Sequence, residues 1–307
     1  ICDSVNIEKY IHECYDGKGI TGGVIDSDNQ YFNGVMVNDT DFTVKNLTMT
    51  ADGSGGNDFK GFGAGVAGYG KTKLDVDGFV FEGAGAVRHG VFAGGSHSED
   101  NLTVNVKNSY IKANGSKYAL AAEGMSSCPW MLGISPDGHA RATMCDGYSH
   151  VNYDKDVLLS DGWGVLSVDG SNYAKMFVKD SVLTLSGPKS HGYGIFCIGP
   201  TPITVDNSVI DVNGFPVMMM SMERKGSVTL KNGSLLTGRR YGVHLTSDDG
   251  GTLLVQDSAI RTEKSAIVAK NSNTNIILRN AQVEAGNGVL VQMMDTDDPG
   301  LAGDFID

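Results

Sequence analysis

No run of eighteen apolar residues interrupts this 307-residue chain, so nothing in it reads as a membrane-spanning helix. The apolar runs are of strand length and too short for helices. Glycine occurs 42 times without a three-residue period, which excludes a collagen-like rod. The five cysteines at 2, 14, 128, 145 and 197 have no metal-finger spacing, and neither a metal nor another cofactor is expected. Proximity would pair Cys2 with Cys14 and Cys128 with Cys145; buried thiols are the alternative. Basic residues are in deficit, 24 against 36 acids, which gives a net charge of −12. Bulk repulsion then disfavours nucleic acid, anionic membranes and polyuronates, and a solvated acidic face is the plain reading of the excess. The opening Ile1-Cys2-Asp3, without an initiator methionine, is expected of a processed or trimmed chain.

What is present is a repeat. Residues 251–270, GTLLVQDSAIRTEKSAIVAK, hold three short apolar runs separated by Gln256-Asp257-Ser258 and Glu263-Lys264-Ser265. Aligning the Asn or Asp of the first turn gives Asn46, Asp77, Asn108, Asp156, Asp180, Asn207, Asn232, Asp257 and Asn280. Successive spacings run from 23 to 31 residues, except for 48 between Asn108 and Asp156. Three strands per repeat of about 25 residues mean a solenoid of stacked coils. An Asn or Asp at one turn of every coil is expected to satisfy turn groups above and below it.

In this order of strand, Asn turn, strand, turn, strand and variable turn, the chain resembles the right-handed parallel β-helix, or pectate-lyase-like, superfamily over about residues 34–294. The resemblance implies an all-β, right-handed parallel β-helix solenoid. One domain over 1–307 is expected, with a capping α-helix over 4–15, where Ile7, Tyr10, Ile11 and Cys14 keep helical spacing. Residues 17–33 read as a glycine-rich entry and 53–70 as a loop on an early coil. Sequons at Asn38, Asn46, Asn101, Asn114 and Asn232 include two anchor turns where a glycan has no room, which points to a bacterial source.

The strand that opens each coil aligns as Gly90–Ala93 in one coil, then at 119–122, 164–167, 194–197, 216–219, 242–245, 266–269 and 288–291. Two columns point inward. Between them an outward column reads Phe92, Ala121, Leu166, Phe196, Met218, His244, Val268 and Leu290. An apolar outward stripe calls for a cover: a loop, a partner or a ligand. A further column, His89, Tyr118, Trp163, Tyr193, Phe215 and Tyr241, is either stacking between coils or a rim of rings for a sugar. The long spacing leaves 124–150 as an inserted loop after an opening strand, with Trp130, His139, Arg141, Asp146 and His150, expected to roof the stripe.

Asp161, His191, Arg239 and His244 are the candidate catalytic residues, with Asp161 as acid or base, the histidines as proton-transfer partners and Arg239 as charge stabiliser. Trp163, Tyr193, Phe196, Met218, Tyr241, Trp130 and Arg141 are the candidate substrate contacts. Residues 247–250, 190–192 and 261–264 are similar to polygalacturonase signatures, but their order is wrong and the Gly before His191 is absent. Two functions follow as expectations. The first is an extracellular or cell-surface, carbohydrate-active enzyme acting on a neutral glycan, glycoconjugate or apolar small molecule by acid/base chemistry, as a hydrolase, lyase or isomerase. The second is a non-catalytic surface β-helix that binds carbohydrate or protein.

Overall fold

A computed structural model describes residues 17–55, 60–85, 88–95, 102–115, 141–162, 164–169, 174–186, 192–199, 201–220, 225–245, 249–270 and 273–294. Among these residues there is no helix, and thirty strands form three parallel sheets of ten. Every third strand joins the same sheet, so the chain winds as a parallel β-helix solenoid. The pre-anchor sheet runs from Gly19–Thr21 to Asn275–Arg279, the post-anchor sheet from Val24–Ser27 to Gln282–Ala285, and the opening-strand sheet from Val35–Asn38 to Val291–Met294. The expected capping helix over 4–15 lies outside the described residues. Two boundaries move outward: coiling begins at Gly19 within the expected entry segment, and Val66–Tyr69 within the expected loop is a strand.

One face of each strand turns inward because apolar residues alternate, and the inward columns merge into a continuous core of Val, Leu, Ile, Phe and Met between the sheets. The anchor turn works through its backbone. Asn46, Asn108, Asp180, Asn207, Asn232, Asp257 and Asn280 all have φ between 44° and 57°. Asn and Asp tolerate this left-handed conformation better than other L-residues. In two coils the strained position falls one residue from the expected anchor, on Gly78 rather than Asp77 and on Lys155 rather than Asp156.

Side chains then link the coils. Asn108 donates its amide to Asp77 at 2.8 Å, Asn207 to Asp180 at 2.6 Å, Asn232 to Asp206 at 2.7 Å and Asn280 to Asp257 at 2.7 Å. The expected backbone-directed ladder is therefore an amide-to-carboxylate one. Replacing Asn232 or Asn280 by Leu is expected to cost roughly 1–3 kcal/mol, from the lost bond to a charged acceptor and the strained φ. Thermal melting checks this. Equal midpoints for wild type and both variants would show the ladder to be idle.

Two more ladders flank the anchor. The residue before it alternates in charge through paired strands: Lys45, Asp77, Lys107, Asp154, Lys179, Asp206 and Lys231. Opposite charges thus face each other across neighbouring strands, and Lys231 lies 3.2 Å from Asp206. The residue after the anchor is mostly a buried serine. Phe79, Asp156, Ser181 and Ser208 each donate a backbone N–H to the hydroxyl of Ser109, Ser181, Ser208 and Ser234 in turn. In one coil Asp156 takes the serine's place and accepts from the Ser109 N–H at 2.8 Å.

Register in the opening-strand sheet corrects the sequence alignment in three places. Leu166 pairs with Ile195 and Ser167 with Phe196, so Leu166 belongs to the core and Ser167 to the outward column. This register buries Leu166 and Val168 as the alternating pair, whereas the expected one would have put Ser167 inward; a slip by one residue exchanges faces. Val291 pairs with Ile267, two residues later than expected, because Asn287 and Gly288 extend the turn: Gly288 has φ 77° and Asn287 accepts from the Val289 N–H. Residues 141–146 and 149–150, expected in the insertion, are instead strand: Arg141–Asp146 is itself an opening strand between His89–Gly94 and Gly164–Asp169, and His150 lies in Ser149–Asp154. The remainder of the expected loop, 124–140, lies outside the described residues.

Candidate functional site

The outer face of the opening-strand sheet is where sequence reasoning places function. In correct register its outward column runs Ala67, Phe92, Ser167, Phe196, Met218, His244, Val268 and Gln292, with the backbone of Met144 between those of Phe92 and Ser167. Phe92, Ser167, Phe196, Met218, His244 and Val268 are all closed to solvent by the chain itself.

At one end the cover is visible in detail. Ala64, Ala67 and Phe92 form a small cluster, separate from the core, with Met36 and Tyr69 against it. The glycine-rich segment crosses above them. A Cβ on Gly61 would sit 2.4 Å from the Phe92 ring, so only glycine lets the backbone pass so close. Tyr69 donates its hydroxyl to the Lys60 carbonyl at 2.7 Å. Arg88, fully buried, holds this segment down by donating to the carbonyls of Phe32, Gly53 and Gly63. A loop over the stripe, one of the covers expected, is realised here.

At the other end the aromatic column stands beside the stripe. Register places His89, Arg141, Gly164, Tyr193 and Phe215 in one line. Gly164 therefore holds the position expected for Trp163, which itself lies outside the described residues, as do Trp130, Tyr118 and His191. Arg141, expected in a loop, sits fully buried in this line. Tyr193, Phe215 and Tyr241 stack with centroids 5.3 Å and 5.9 Å apart. Coil spacing of about 4.8 Å brings equivalent rings to this distance, and each pair contributes roughly 0.5–1.5 kcal/mol. All three rings are buried, so in this form they bind the coils to one another and offer no open sugar platform.

His244 leans edge-on against Phe215 and Tyr241, at 4.7 Å and 5.6 Å. Among the described residues neither ring nitrogen finds a hydrogen-bond partner. Burial, aided by the positive charge of Arg240, holds its pKa down at about 3, so the imidazole is neutral at physiological pH. The Arg240 guanidinium lies 5.2 Å over the Phe215 ring.

Asp161 and Arg239 occupy equivalent positions in the turn that leads into the opening strands, but three coils apart. Their backbones step through Ser186, which donates to the Ser160 carbonyl, and Asn213, which donates to the Leu185 carbonyl. Three coils are about 14 Å along the axis, too far for one substrate group to meet both. Asp161 accepts from the Gly115 N–H at 2.6 Å through its carboxylate, a contact to the turn of the neighbouring coil. Arg239 is exposed, and its backbone N–H joins the ladder at the Val212 carbonyl. Phe196 and Met218 face each other across paired strands beneath the ring stack. The structure thus brings together Tyr193, Phe196, Phe215, Met218, Tyr241 and His244, and leaves Asp161 apart.

Arg88 carries weight here yet gives no periodic signal in the sequence, because it stands between strands. Arg240 is legible in the sequence as one of the polar residues of the turn before an opening strand, but its ring contact depends on where Phe215 falls in the preceding coil. Against known proteins, the chain matches no family model and no curated sequence.

Proposed function

We propose that this chain is a right-handed β-helix of the pectate-lyase-like type, displayed outside a bacterial cell, that binds a glycan or a protein partner without turning it over. The observation that carries the reading is the state of the acid/base candidates. His244 is closed off and neutral, with its pKa near 3, and Asp161 is engaged by the Gly115 backbone three coils away from Arg239. General acid/base catalysis needs groups that reach one substrate and titrate near the working pH. His244 packs against the rings of two coils and Asp161 holds the turn of a neighbouring coil, which favours recognition over chemistry.

The test is direct. The purified chain, applied to arrays of neutral and acidic oligosaccharides and incubated with the same compounds under mass-spectrometric product analysis, is expected to retain ligands and release no product. Asp161→Asn is expected to leave retention unchanged. Product formation by the wild type that Asp161→Asn abolishes would overturn this reading and return the chain to the acid/base enzymes.

A further inference from the structure

The first outward position of the post-anchor strands carries a second apolar stripe, and this one is open. Val80, Tyr110, Val157, Val182, Val209 and Leu235 stand in unbroken register on six consecutive coils. Val80 is 40% exposed, Val157 38% and Val182 40%; Tyr110, Val209 and Leu235 are half-buried. Single exposed valines are ordinary, whereas six in line make a continuous strip about 25 Å long. The corresponding column of the pre-anchor sheet is mixed rather than uniformly apolar: Asp75, Asn105, Asn152, Phe177, Thr204, Thr229, Leu254 and Ile277.

We infer that this strip is the contact between two antiparallel copies of the chain. Only a surface with the same repeat can meet every coil of such a strip, and a second copy has that repeat. The column beside the strip sets the direction. It reads Glu82, Lys112, Leu159, Thr184, Asp211 and Thr237 in the same register. A twofold axis along the strand direction, passing between the coils of Val157 and Val182, sets Val157 against Val182, Tyr110 against Val209 and Val80 against Leu235. The same axis sets Lys112 against Asp211 twice and Leu159 against Thr184. No like charges meet in these central coils, and the interface is self-complementary, as a twofold contact must be. A parallel pair about an axis along the rod instead carries the charged column over the partner's anchor turn.

Sedimentation velocity and light scattering on the 307-residue chain at micromolar concentration are expected to give a dimer. Val182→Lys changes an exposed position, so the fold should be retained, as circular dichroism can verify, while the dimer dissociates at least tenfold more readily. Lys112→Glu should weaken it by placing like charges together, and the double exchange Lys112→Glu with Asp211→Lys should restore it. A wild-type monomer overturns the inference, as does a dimer indifferent to Val182→Lys. Failure of the double exchange to restore a dimer that Lys112→Glu has weakened overturns the antiparallel register.

Discussion

Replacing Arg88 by methionine is expected to unfasten the first coils of the solenoid while leaving the later ones wound. The guanidinium makes five hydrogen bonds to backbone carbonyls, at Asn29, Phe32, Gly63 and, twice, Gly53. It therefore ties together three stretches of chain that share no strand. Methionine fills much of the volume but donates nothing. Carbonyls left buried and unmet each carry a penalty of roughly 1–3 kcal/mol, so a loss of about 3 kcal/mol or more follows. Because a solenoid's coils interact mainly with their neighbours, the loss should stay local. Amide hydrogen exchange is the measurement: residues 29–34 and 60–65 should lose protection, and residues 226–262 should keep theirs. Arg88→Lys, a single point donor in place of a planar fork, should recover only part of the protection. Uniform protection in Arg88→Met would show that the glycine-rich segment is held by something else.

The coils were legible because their chemistry repeats. Asn and Asp recur where φ is positive, and apolar alternation fixes which face turns inward, so the anchor spacing alone yields stacked three-strand coils. The neighbouring ladders were equally available. Lys107-Asn108-Ser109, Lys179-Asp180-Ser181 and Asp206-Asn207-Ser208 carry the charge column, the strained turn and the serine column in three consecutive letters. An alternating-sign column becomes a pattern only after the coils are stacked.

Register was harder to read, since alternation permits two answers wherever both parities are apolar. Gly164-Val165-Leu166-Ser167-Val168 looks the same as its neighbours when aligned on glycine, and only the demand for two large inward side chains selects Leu166 and Val168. The outward stripe changes most with that one-residue slip: Ser167 stands where Leu166 is expected, and Gly164 takes the register position expected for Trp163. Arg141 entered it for another reason: a strand with Ala142, Thr143 and Met144 at its centre lacks the β-branched run of its neighbours and reads as loop. Tyr193, Phe215 and Tyr241, however, were aligned correctly, since large rings two residues before an inward position survive any choice of turn length.

Exchanging Asp156 for the serine found elsewhere in its ladder is expected to stabilise the protein at pH 8 and to do little at pH 4. Asp156 is almost wholly buried, accepting from the Ser109 and Asp154 N–H groups. Burial, reinforced by the negative charges of Asp154 and Asp77, raises its pKa from 3.8 to about 7 despite those two bonds. The folded chain therefore holds this proton more tightly than the unfolded chain does. Below pH 3.8 both states are protonated and the residue is neutral in its effect. As pH rises toward 7 the unfolded chain gains an ionised carboxylate that the folded chain resists, so stability falls, and above 7 the loss is complete. The shift corresponds to a loss on the order of 4 kcal/mol. A serine has no charge to bury; its hydroxyl can accept from the Ser109 N–H and donate to the Asp154 carbonyl, as Ser181 does to Lys179. Calorimetry at the two pH values should show a melting gain of several degrees for Asp156→Ser at pH 8 that shrinks toward zero at pH 4. A gain of equal size at both would place the effect in packing, and a fall at pH 8 would mean that the carboxylate's two backbone bonds outweigh the cost of its burial.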